Sequence, residues 1–477
     1  MTPSATALHA QRKQPPSRTS ASISMKLSIP GAASKTMIAL SKRPRSINRR
    51  LGSTELIYYL LDRLYCLNFV IVAELTGTLD VEKIDAALHA LQREQPLLRA
   101  RIVLVDGRLW FKPVSLERCP LKADVKLLRD WRITTVAQLS TPFGATPPLA
   151  RFFLFRGRGQ HCVAAMVFHH VIADGKSGTD LMIRVLRRAA GENRPLRFRR
   201  PRPSAQHLDL IERQGLVGSS VRKLEYWLHQ GMNALTFPQQ LPGYDMHWRP
   251  KREIHVIPLS IPKEACRALL EACHAHGTTV HGALGAGQLL ALNAEFGVAE
   301  ARRLALTSLA DLRGVLDGEL TERDLGLYIA TITTVHRIDV EPDFWQLAAD
   351  IRSQVKEVLE SGDANLVHSI YREDSLIPPN EAGARMVQAA AAAAPPSSMI
   401  TNIGRYDAIA LRNGTRVRSL TFMLAPPPQY PICVVAGTYA NVIHLNLLYD
   451  HAKVTQKQAR RIGTSLVRII RSAARRD

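Results

Sequence analysis

The sequence predicts a mixed α/β protein made of two halves with similar architecture. The chain has 477 residues, of which 46% are hydrophobic and 22% are charged, so it can bury more than one apolar core. Patterns typical of strands and helices alternate on both sides of a connector at residues 226–250, which contains several prolines and glycines. We therefore predict one subdomain over residues 51–225 and a second over residues 251–477, without a close sequence repeat between them.

The first half contains two kinds of periodic segment. Alternating or short apolar runs predict strands, and Asp80 can cap a helix whose apolar residues recur on one face. Asp106-Gly107 is a two-residue hairpin signal between two of the strands. The predicted strands span residues 68–77, 101–105, 108–114, 150–155 and 161–169, and the predicted helices span residues 81–94 and 177–190.

The same two patterns continue after the connector. The last helix begins with a capping box formed by Thr455 and Gln458. The predicted strands span residues 253–261, 303–308, 329–336, 418–424, 432–436 and 442–449, and the other predicted helices span residues 262–274, 279–294 and 343–360. Because strands and helices recur in both halves, we predict an α/β fold for each.

Positive charge is concentrated at the start of the chain. The net charge is +22, and residues 1–50 hold ten Lys and Arg and no Asp or Glu, which leaves +12 for the remainder. This segment is rich in Ser, Pro and Ala without a sustained apolar period, so we predict that it is disordered. Its composition is similar to that of an organelle transit peptide, and a chain that starts at Met25 is an equal alternative. A basic surface can bind nucleic acid, an anionic membrane or an acidic partner.

The cysteines and the apolar segments indicate the cellular compartment of the protein. Six cysteines occur without a C-x-x-C pair, which is typical of a reducing compartment, so we predict a cytoplasmic protein. No stretch approaches the roughly 20 apolar residues that a membrane-spanning helix needs. Cys273, His274 and His276 lie close together, but we interpret them as a helix end before Gly277 and predict no metal site, because zinc needs more ligands at spaced positions.

The most informative motif ends the strand predicted at residues 161–169. His169 and His170 close this strand, and Asp174 and Gly175 follow in the loop before a helix. An imidazole with an ordinary pKa near ~6.5 can accept a proton from a hydroxyl or amine that attacks an acyl carbonyl. Asp174 could orient the ring or pair with an arginine, and Gly175 could relieve strain in the turn. The alternative is a pair of structural histidines beside an ordinary Asp-Gly turn.

This segment resembles the H-H-x-x-x-D-G signature of the CoA-dependent acyltransferase superfamily. That superfamily includes condensation domains of peptide synthetases, chloramphenicol acetyltransferase, wax ester synthases and polyketide-associated acyltransferases. The D-F-G-W-G motif of its plant members is absent, and residues 436–440 read A-G-T-Y-A instead. Weaker similarities follow in the family's order at residues 95–99 (with Gln95 where His is usual), 142–143, 148–151, 278–284, 311–313, 326 and 401–404.

The resemblance implies a fold and roles for the motif residues. The implied fold is a pair of chloramphenicol-acetyltransferase-like subdomains in a V-shaped pseudo-dimer with a central tunnel. His170 matches the general base of the family, and Gly175 matches its turn glycine. Asp174 completes the catalytic motif and matches an aspartate that usually pairs with an arginine, for which Arg313 is the candidate.

The resemblance also covers the second half of the site. Thr401 and Asn402 match a stretch near the family's active site, where a hydroxyl or amide can donate to an oxyanion. His169 belongs to the motif, and no role follows for it. No bound cofactor is implied, and the co-substrate is acyl-CoA or a phosphopantetheinyl thioester.

These features predict an acyltransferase of secondary-metabolite or lipid biosynthesis. The acyl group is expected to move from acyl-CoA or a carrier protein to a hydroxyl or amine acceptor without an acyl-enzyme, because no G-x-S-x-G motif is present. We predict a monomer whose partner is an acidic acyl or peptidyl carrier protein. A catalytically inactive carrier-binding module and a nucleic-acid-binding protein remain as alternatives. The predicted docking surface consists of Arg194, Arg197, Arg199, Arg200 and Arg202.

Overall fold

A computed structural model describes residues 47–144, 147–192, 252–297, 300–316, 320–364, 377–392 and 397–475, together with isolated positions between residues 195 and 247. The disorder predicted for residues 1–46 and most of the predicted connector lie outside the described residues. The predicted boundary at residue 50 falls inside the folded part, because the short strand β1 (Arg49–Arg50) pairs with residues 110–111. Arg49 also donates to both carboxylate oxygens of Glu55 at 2.7 Å.

Local signals in the first half correspond to the observed elements. Asp80 accepts the N–H of Glu82 at 2.8 Å, so the predicted helix cap is confirmed. Asp106 and Gly107 both have positive φ, 49° and 71°, as a two-residue hairpin turn requires. The elements are α1 (Ser53–Tyr65), β2 (Asn68–Thr76), α2 (Val81–Glu94), β3 (Ala100–Val105), β4 (Arg108–Pro113), β5 (Ala123–Leu127), α3 (Trp131–Gln138), β6 (Ala150–Arg156), β7 (His161–His169) and α4 (Gly175–Ala189).

The second half also alternates between strands and helices. The capping box at Thr455 and Gln458 is present, with the Gln458 N–H donating to the Thr455 hydroxyl at 3.3 Å. The elements are β8 (Ile254–Ile261), α5 (Lys263–Ala275), α6 (Val280–Phe296), β9 (Arg302–Asp311), β10 (Ile329–Ile338), α7 (Phe344–Glu360), α8 (Glu381–Ala392), β11 (Ser397–Tyr406), β12 (Arg416–Leu424), β13 (Ile432–Tyr439), β14 (Val442–Asp450) and α9 (Gln456–Ala473).

Two mixed sheets organise these elements. The first has five strands in the order β12-β2-β7-β6-β5, and the second has six strands in the order β10-β9-β11-β13-β14-β8. Helices α2 and α4 pack against each other beside the first sheet, and α6, α7 and α9 contact the second sheet. A further small sheet contains β1, β4 and β3.

One strand joins the two halves. β12 belongs to the second half of the sequence, but it pairs antiparallel with β2 at the edge of the first sheet. The Asn446 side-chain amide in the second sheet donates to the backbone carbonyl of Phe422 in β12 at 2.8 Å. Arg252 adds a link, because its guanidinium donates to the carbonyls of Tyr65 and Pro426 and stacks over the Tyr65 ring. The predicted range 251–477 thus contributes a strand to the sheet of the first half.

The two faces of the second sheet have different surroundings. Alternate residues such as Ile400 and Val434 belong to an apolar cluster with α6, α7 and α9. Their neighbours Met399 and Val435 belong to the cluster that also contains Phe69 of the first sheet. One face therefore packs on helices, and the other face is directed towards the first sheet.

Several elements were not predicted, and α1 is the most important of them. Its apolar residues cover two faces, because Leu60 packs against α8 while Leu56 also contacts the main core. This double burial hides the single apolar stripe that usually indicates a helix. β11 was missed because its first residues are polar, although it lies between β9 and β13 inside the sheet.

None of the helices within the described ranges has the length and apolar character to cross a membrane. No cluster of three or more His, Cys, Asp or Glu side chains suited to a metal ion occurs in the same ranges. Cys273 lies in α5, and His276 follows the helix end and stacks on Trp345 with ring centroids 4.6 Å apart.

Candidate active site

The two motif histidines stand at the end of β7 and at the start of the loop that follows it. His169 pairs with Asn68 at the start of β2, and the His170 N–H donates to the Leu67 carbonyl at 3.2 Å. The loop ends where Asp174 caps α4. Both histidines are buried, with 4% and 2% of their surfaces exposed. A strand end, a helix cap and the backbone hydrogen bond to Leu67 therefore fix the loop.

The His170 ring has a defined tautomer. Its Nδ1 lies 3.0 Å from the Ala173 carbonyl oxygen. A carbonyl can only accept, so Nδ1 carries the hydrogen and Nε2 retains the lone pair. Burial lowers the pKa of His170 from 6.5 to about 4, although hydrogen bonds to the backbone and the charge of Asp174 oppose this shift. His170 is therefore neutral at pH 7, which is the form that a general base needs.

Two aromatic side chains hold the His170 ring. Tyr58 of α1 and Phe69 of β2 each make an edge contact with it at a centroid distance of 4.9 Å. Burial raises the pKa of Tyr58 to about 12, and the interaction of its hydroxyl with Thr331 in β10 opposes this rise. Tyr58 thus connects α1, the motif histidine and the second sheet. Tyr58 was not predicted as a site residue, because α1 itself was not predicted from the sequence.

His169 uses both ring nitrogens for structure. Its Nδ1 accepts the N–H of Val171 at 3.2 Å, and its Nε2 lies 3.3 Å from Oδ2 of Asp62. Because Nδ1 accepts, Nε2 carries the hydrogen that is donated to Asp62. Burial lowers the pKa of His169, and Asp62 opposes this shift. This geometry assigns to His169 the task of joining the motif loop to α1.

Asp174 is fully buried and accepts hydrogen bonds from several directions. Arg313 Nη2 lies 2.9 Å and 3.1 Å from its two oxygens, so the candidate partner from the sequence is in contact. The backbone N–H groups of Tyr328 and Ser177 donate at 3.0 Å and 2.9 Å, and the Ser177 hydroxyl donates at 2.9 Å. The hydrogen bond at His170 Nδ1 goes to the backbone instead. Of the two roles considered for Asp174, the geometry supports the one that holds the loop.

Gly175 is required for a reason other than the one predicted. It begins α4, and its φ lies outside the left-handed region, so no turn strain is relieved there. A Cβ at this position would lie 2.8 Å from Cγ2 of Ile403 and 3.4 Å from the Phe422 ring. The glycine therefore allows the start of α4 to approach β11 and β12 closely.

The two oxyanion candidates occupy opposite faces of β11. Thr401 lies on the same face as Met399 and Ile403, which is directed towards the first sheet. Asn402 lies with Ile400 on the helix-covered face, and its Oδ1 accepts the N–H of Gly404 at 3.0 Å. Within the described residues, no hydrogen bond joins either candidate to His170. Thr401 thus has the more suitable orientation of the two.

The other sequence-based candidates have structural partners. Gln95, in place of the family's usual His, donates to the Arg323 carbonyl at 2.9 Å. Arg199 and Arg202 of the predicted docking surface each lie 3.2 Å from the buried carboxylate of Asp324. These two arginines are therefore held within the fold. The other three members of that surface lie outside the described part of the chain.

Two sequence comparisons relate parts of the chain to known proteins. Residues 250–440 match the family model described as phthiocerol/phthiodiolone dimycocerosyl transferase C-terminus. A stretch of 226 residues is 26% identical to nonribosomal peptide synthetase kk1B from Curvularia clavata. That stretch covers 44% of this chain and 2% of the synthetase, so the chain corresponds to a small part of that relative.

Solved structures share the fold over most of the chain. Trichothecene 15-O-acetyltransferase from Fusarium sporotrichioides superposes with a TM-score of 0.68 at 13% identity, covering 90% of this chain and 95% of that one. The epimerization domain from the third module of tyrocidine synthetase B gives a TM-score of 0.68 at 13% identity, covering 91% and 98%. At such identities the likeness describes the fold alone.

The two sheets and the motif loop define a protein with two chloramphenicol-acetyltransferase-like subdomains. Residues 250–440 thus resemble an acyltransferase family model, and the chain shares its fold with acyltransferases and condensation domains.

Proposed function

We propose that the protein transfers an acyl group directly from a thioester to a hydroxyl or amine, with His170 as the general base. The observation that carries this proposal is the tautomer of His170. Its Nδ1 is hydrogen-bonded to the Ala173 carbonyl, so Nε2 can take the acceptor proton. The acceptor oxygen or nitrogen then bonds to the acyl carbon, the carbon–sulfur bond breaks, and the protonated imidazole returns the proton to the leaving thiolate.

The cysteines support a mechanism without an acyl-enzyme. All six are buried. Cys66 lies near the motif, between α1 and β2, and burial raises its pKa to about 12. A thiol with such a pKa remains protonated at neutral pH, and the thiolate is the nucleophilic form. Direct attack by the acceptor therefore fits the site better than a cysteine thioester.

The transition state needs a donor for its oxyanion. Thr401 fits this role because its side chain shares a face with Ile403, which packs against Gly175 at the motif loop. A neutral hydroxyl can stabilise the developing charge when it is held in place before the reaction. Asn402 is the weaker candidate, since it lies on the opposite face and its oxygen is already engaged.

The donor is an acyl thioester on CoA or on a carrier protein. The match to a nonribosomal peptide synthetase supports a carrier-bound donor, and the match to the dimycocerosyl transferase family model supports a lipid acyl group. The proposed setting is a cytoplasmic monomer that acts in secondary-metabolite or lipid biosynthesis.

Mass spectrometry of products tests the proposal. Purified protein is incubated with a panel of acyl-CoA and acyl-carrier donors and with alcohol and amine acceptors. For the pair that gives product, we expect His170→Ala to lower the rate by ~10²–10⁴ because the general base is lost. His247→Ala is the control, since the His247 side chain is 91% exposed and lies outside the site. A folded His170→Ala protein with near-normal turnover would exclude His170 as the base, and carrier binding without any product would favour an inactive module.

A further inference from the structure

A row of hydroxyl groups lies on the second sheet next to the motif histidine. The Tyr58 hydroxyl interacts with Thr331 on β10. Two residues along the same strand, the Thr333 hydroxyl lies 2.9 Å from the Thr307 hydroxyl on β9. The Thr307 hydroxyl in turn lies 3.3 Å from that of Tyr430. We call these five residues the hydroxyl wall.

Strand alternation shows which way the hydroxyl wall faces. Ala330 and Ile332 on β10 belong to an apolar cluster that is packed against α7. Thr331 and Thr333 alternate with them and therefore face away from that helix. Thr331 is exposed, Thr333 is partly buried, and Tyr58 contacts His170 at 4.9 Å. Tyr58 therefore connects the hydroxyl wall with the reacting imidazole.

The hydroxyl wall is polar, whereas a surface that binds only hydrocarbon needs no hydrogen-bonding groups. Thr307 is completely buried and Tyr430 is 6% exposed, and a buried hydroxyl is unfavourable unless it is hydrogen-bonded. The contact between the Thr307 and Tyr430 hydroxyls satisfies this requirement, and the contact of Thr307 with the Thr333 hydroxyl fixes the position of Thr333. Each hydroxyl can both donate and accept, and the wall itself carries no charged side chain.

We propose that the hydroxyl wall recognises a neutral polar group of the acceptor, a second hydroxyl or an amide, close to the atom that is acylated. The proposal rests on the proposed function and adds the acceptor class to it. Thr331, Thr333 and Tyr58 contact the acceptor, and Thr307 and Tyr430 position Thr333. A cationic acceptor fits less well, because a charge placed against neutral hydroxyls would lose its hydration without gaining an ion pair.

Matched acceptors and matched variants test this inference. Octanol and the vicinal octanediol are compared as acceptors with octanoyl-CoA, and kcat/KM is measured for wild type, Thr331→Val and Thr333→Val. A neutral hydrogen bond contributes about 0.5–1.5 kcal/mol, so each variant is expected to lose ~2–10-fold with the diol, mainly through KM. The value with octanol is expected to change by less than about twofold. Tyr59→Phe is the control, because it removes a hydroxyl from the neighbouring residue of α1, which packs against the apolar core.

Binding without reaction separates this inference from the proposed function. Calorimetric titration of the diol and of octanol into the protein, with no donor present, reports recognition alone. Preferential binding of the diol that is weakened in Thr331→Val supports the wall, even if no acyl donor gives product. Equal binding of both acceptors, or equal losses for both in the threonine variants, overturns the assignment of the wall even if acyl transfer is confirmed.

Discussion

The two neighbouring motif histidines end the same strand, but their surroundings differ. His169 faces α1, where Asp62 and the Val171 N–H engage both ring nitrogens. His170 lies between Tyr58 and Phe69, and the backbone engages only its Nδ1. A histidine with both nitrogens occupied serves as a structural link, whereas one with a free lone pair in an apolar setting can act as a base. The difference shows that partners, rather than residue type, divide the two roles.

The largest expected effect concerns the support that both histidines share. Arg313→Ala removes the partner of the fully buried Asp174 and leaves a carboxylate unpaired. Loss of one partner from a buried ion pair typically costs about 3–5 kcal/mol. We expect a large drop in the unfolding free energy, measured by urea titration, together with loss of turnover. Arg337→Ala, which removes an exposed pair with Asp339, is the control and should change stability by less than about 1 kcal/mol. Unchanged stability of Arg313→Ala would contradict the structural role of Asp174.

A second variant tests directly whether the two histidines have different roles. His169→Ala leaves the Val171 N–H without its partner and removes one partner of the Asp62 carboxylate, which still accepts the Leu67 N–H at 2.7 Å, and such a loss costs about 1–3 kcal/mol. We expect lower thermal stability and a rate loss well below that of His170→Ala. The measurement is differential scanning fluorimetry with kinetics on the same samples. If His169→Ala were folded at full stability but as inactive as His170→Ala, the assignment of roles would be reversed.

The third variant concerns the close approach at the start of α4. Gly175→Ala places a methyl group 2.8 Å from Cγ2 of Ile403, and overpacking of this kind typically costs about 1–3 kcal/mol. We expect reduced stability and a displaced motif loop. Shortening the neighbour as well, in the double variant Gly175→Ala/Ile403→Ala, should return part of the activity that the single Gly175 variant loses. If both proteins had the same activity, the contact with Ile403 would not explain the glycine.

Elements with local signals were predictable from the sequence. The helix over residues 81–94 and the turn at Asp106-Gly107 depend on residues that are close along the chain, namely the capping Asp80 and a two-residue hairpin signal. The pairing of β12 with the first sheet was not predictable in this way. An alternating pattern indicates a strand but does not say which sheet will hold it.

The site was predictable only in part, for a related reason. The loop residues from His169 to Gly175 form one contiguous motif, and Arg313, which is 139 residues from Asp174, was found through the family resemblance. Tyr58 and Asp62 were missed because α1 is apolar on two faces and gives no single stripe. The ion pairs of Arg199 and Arg202 in the charged cluster after α4 were not predictable, since the sequence does not reveal that Asp324 is buried opposite them.

The smallest expected effect is in the pH dependence. The pKa of His170 in the folded protein is about 4, lowered chiefly by burial from the ordinary value of 6.5. The acidic limb of kcat/KM should therefore lie near pH 4, measured in brief pH jumps, because only neutral His170 can accept a proton. Between pH 6.5 and 4 the unfolded chain binds a proton that folded His170 does not, so stability should fall as the pH falls through this window. His169→Gln should leave the kinetic limb in place, because His169 holds the loop and takes no proton from the acceptor. A limb near pH 6.5 that disappears in His169→Gln would identify His169, rather than His170, as the titrating base.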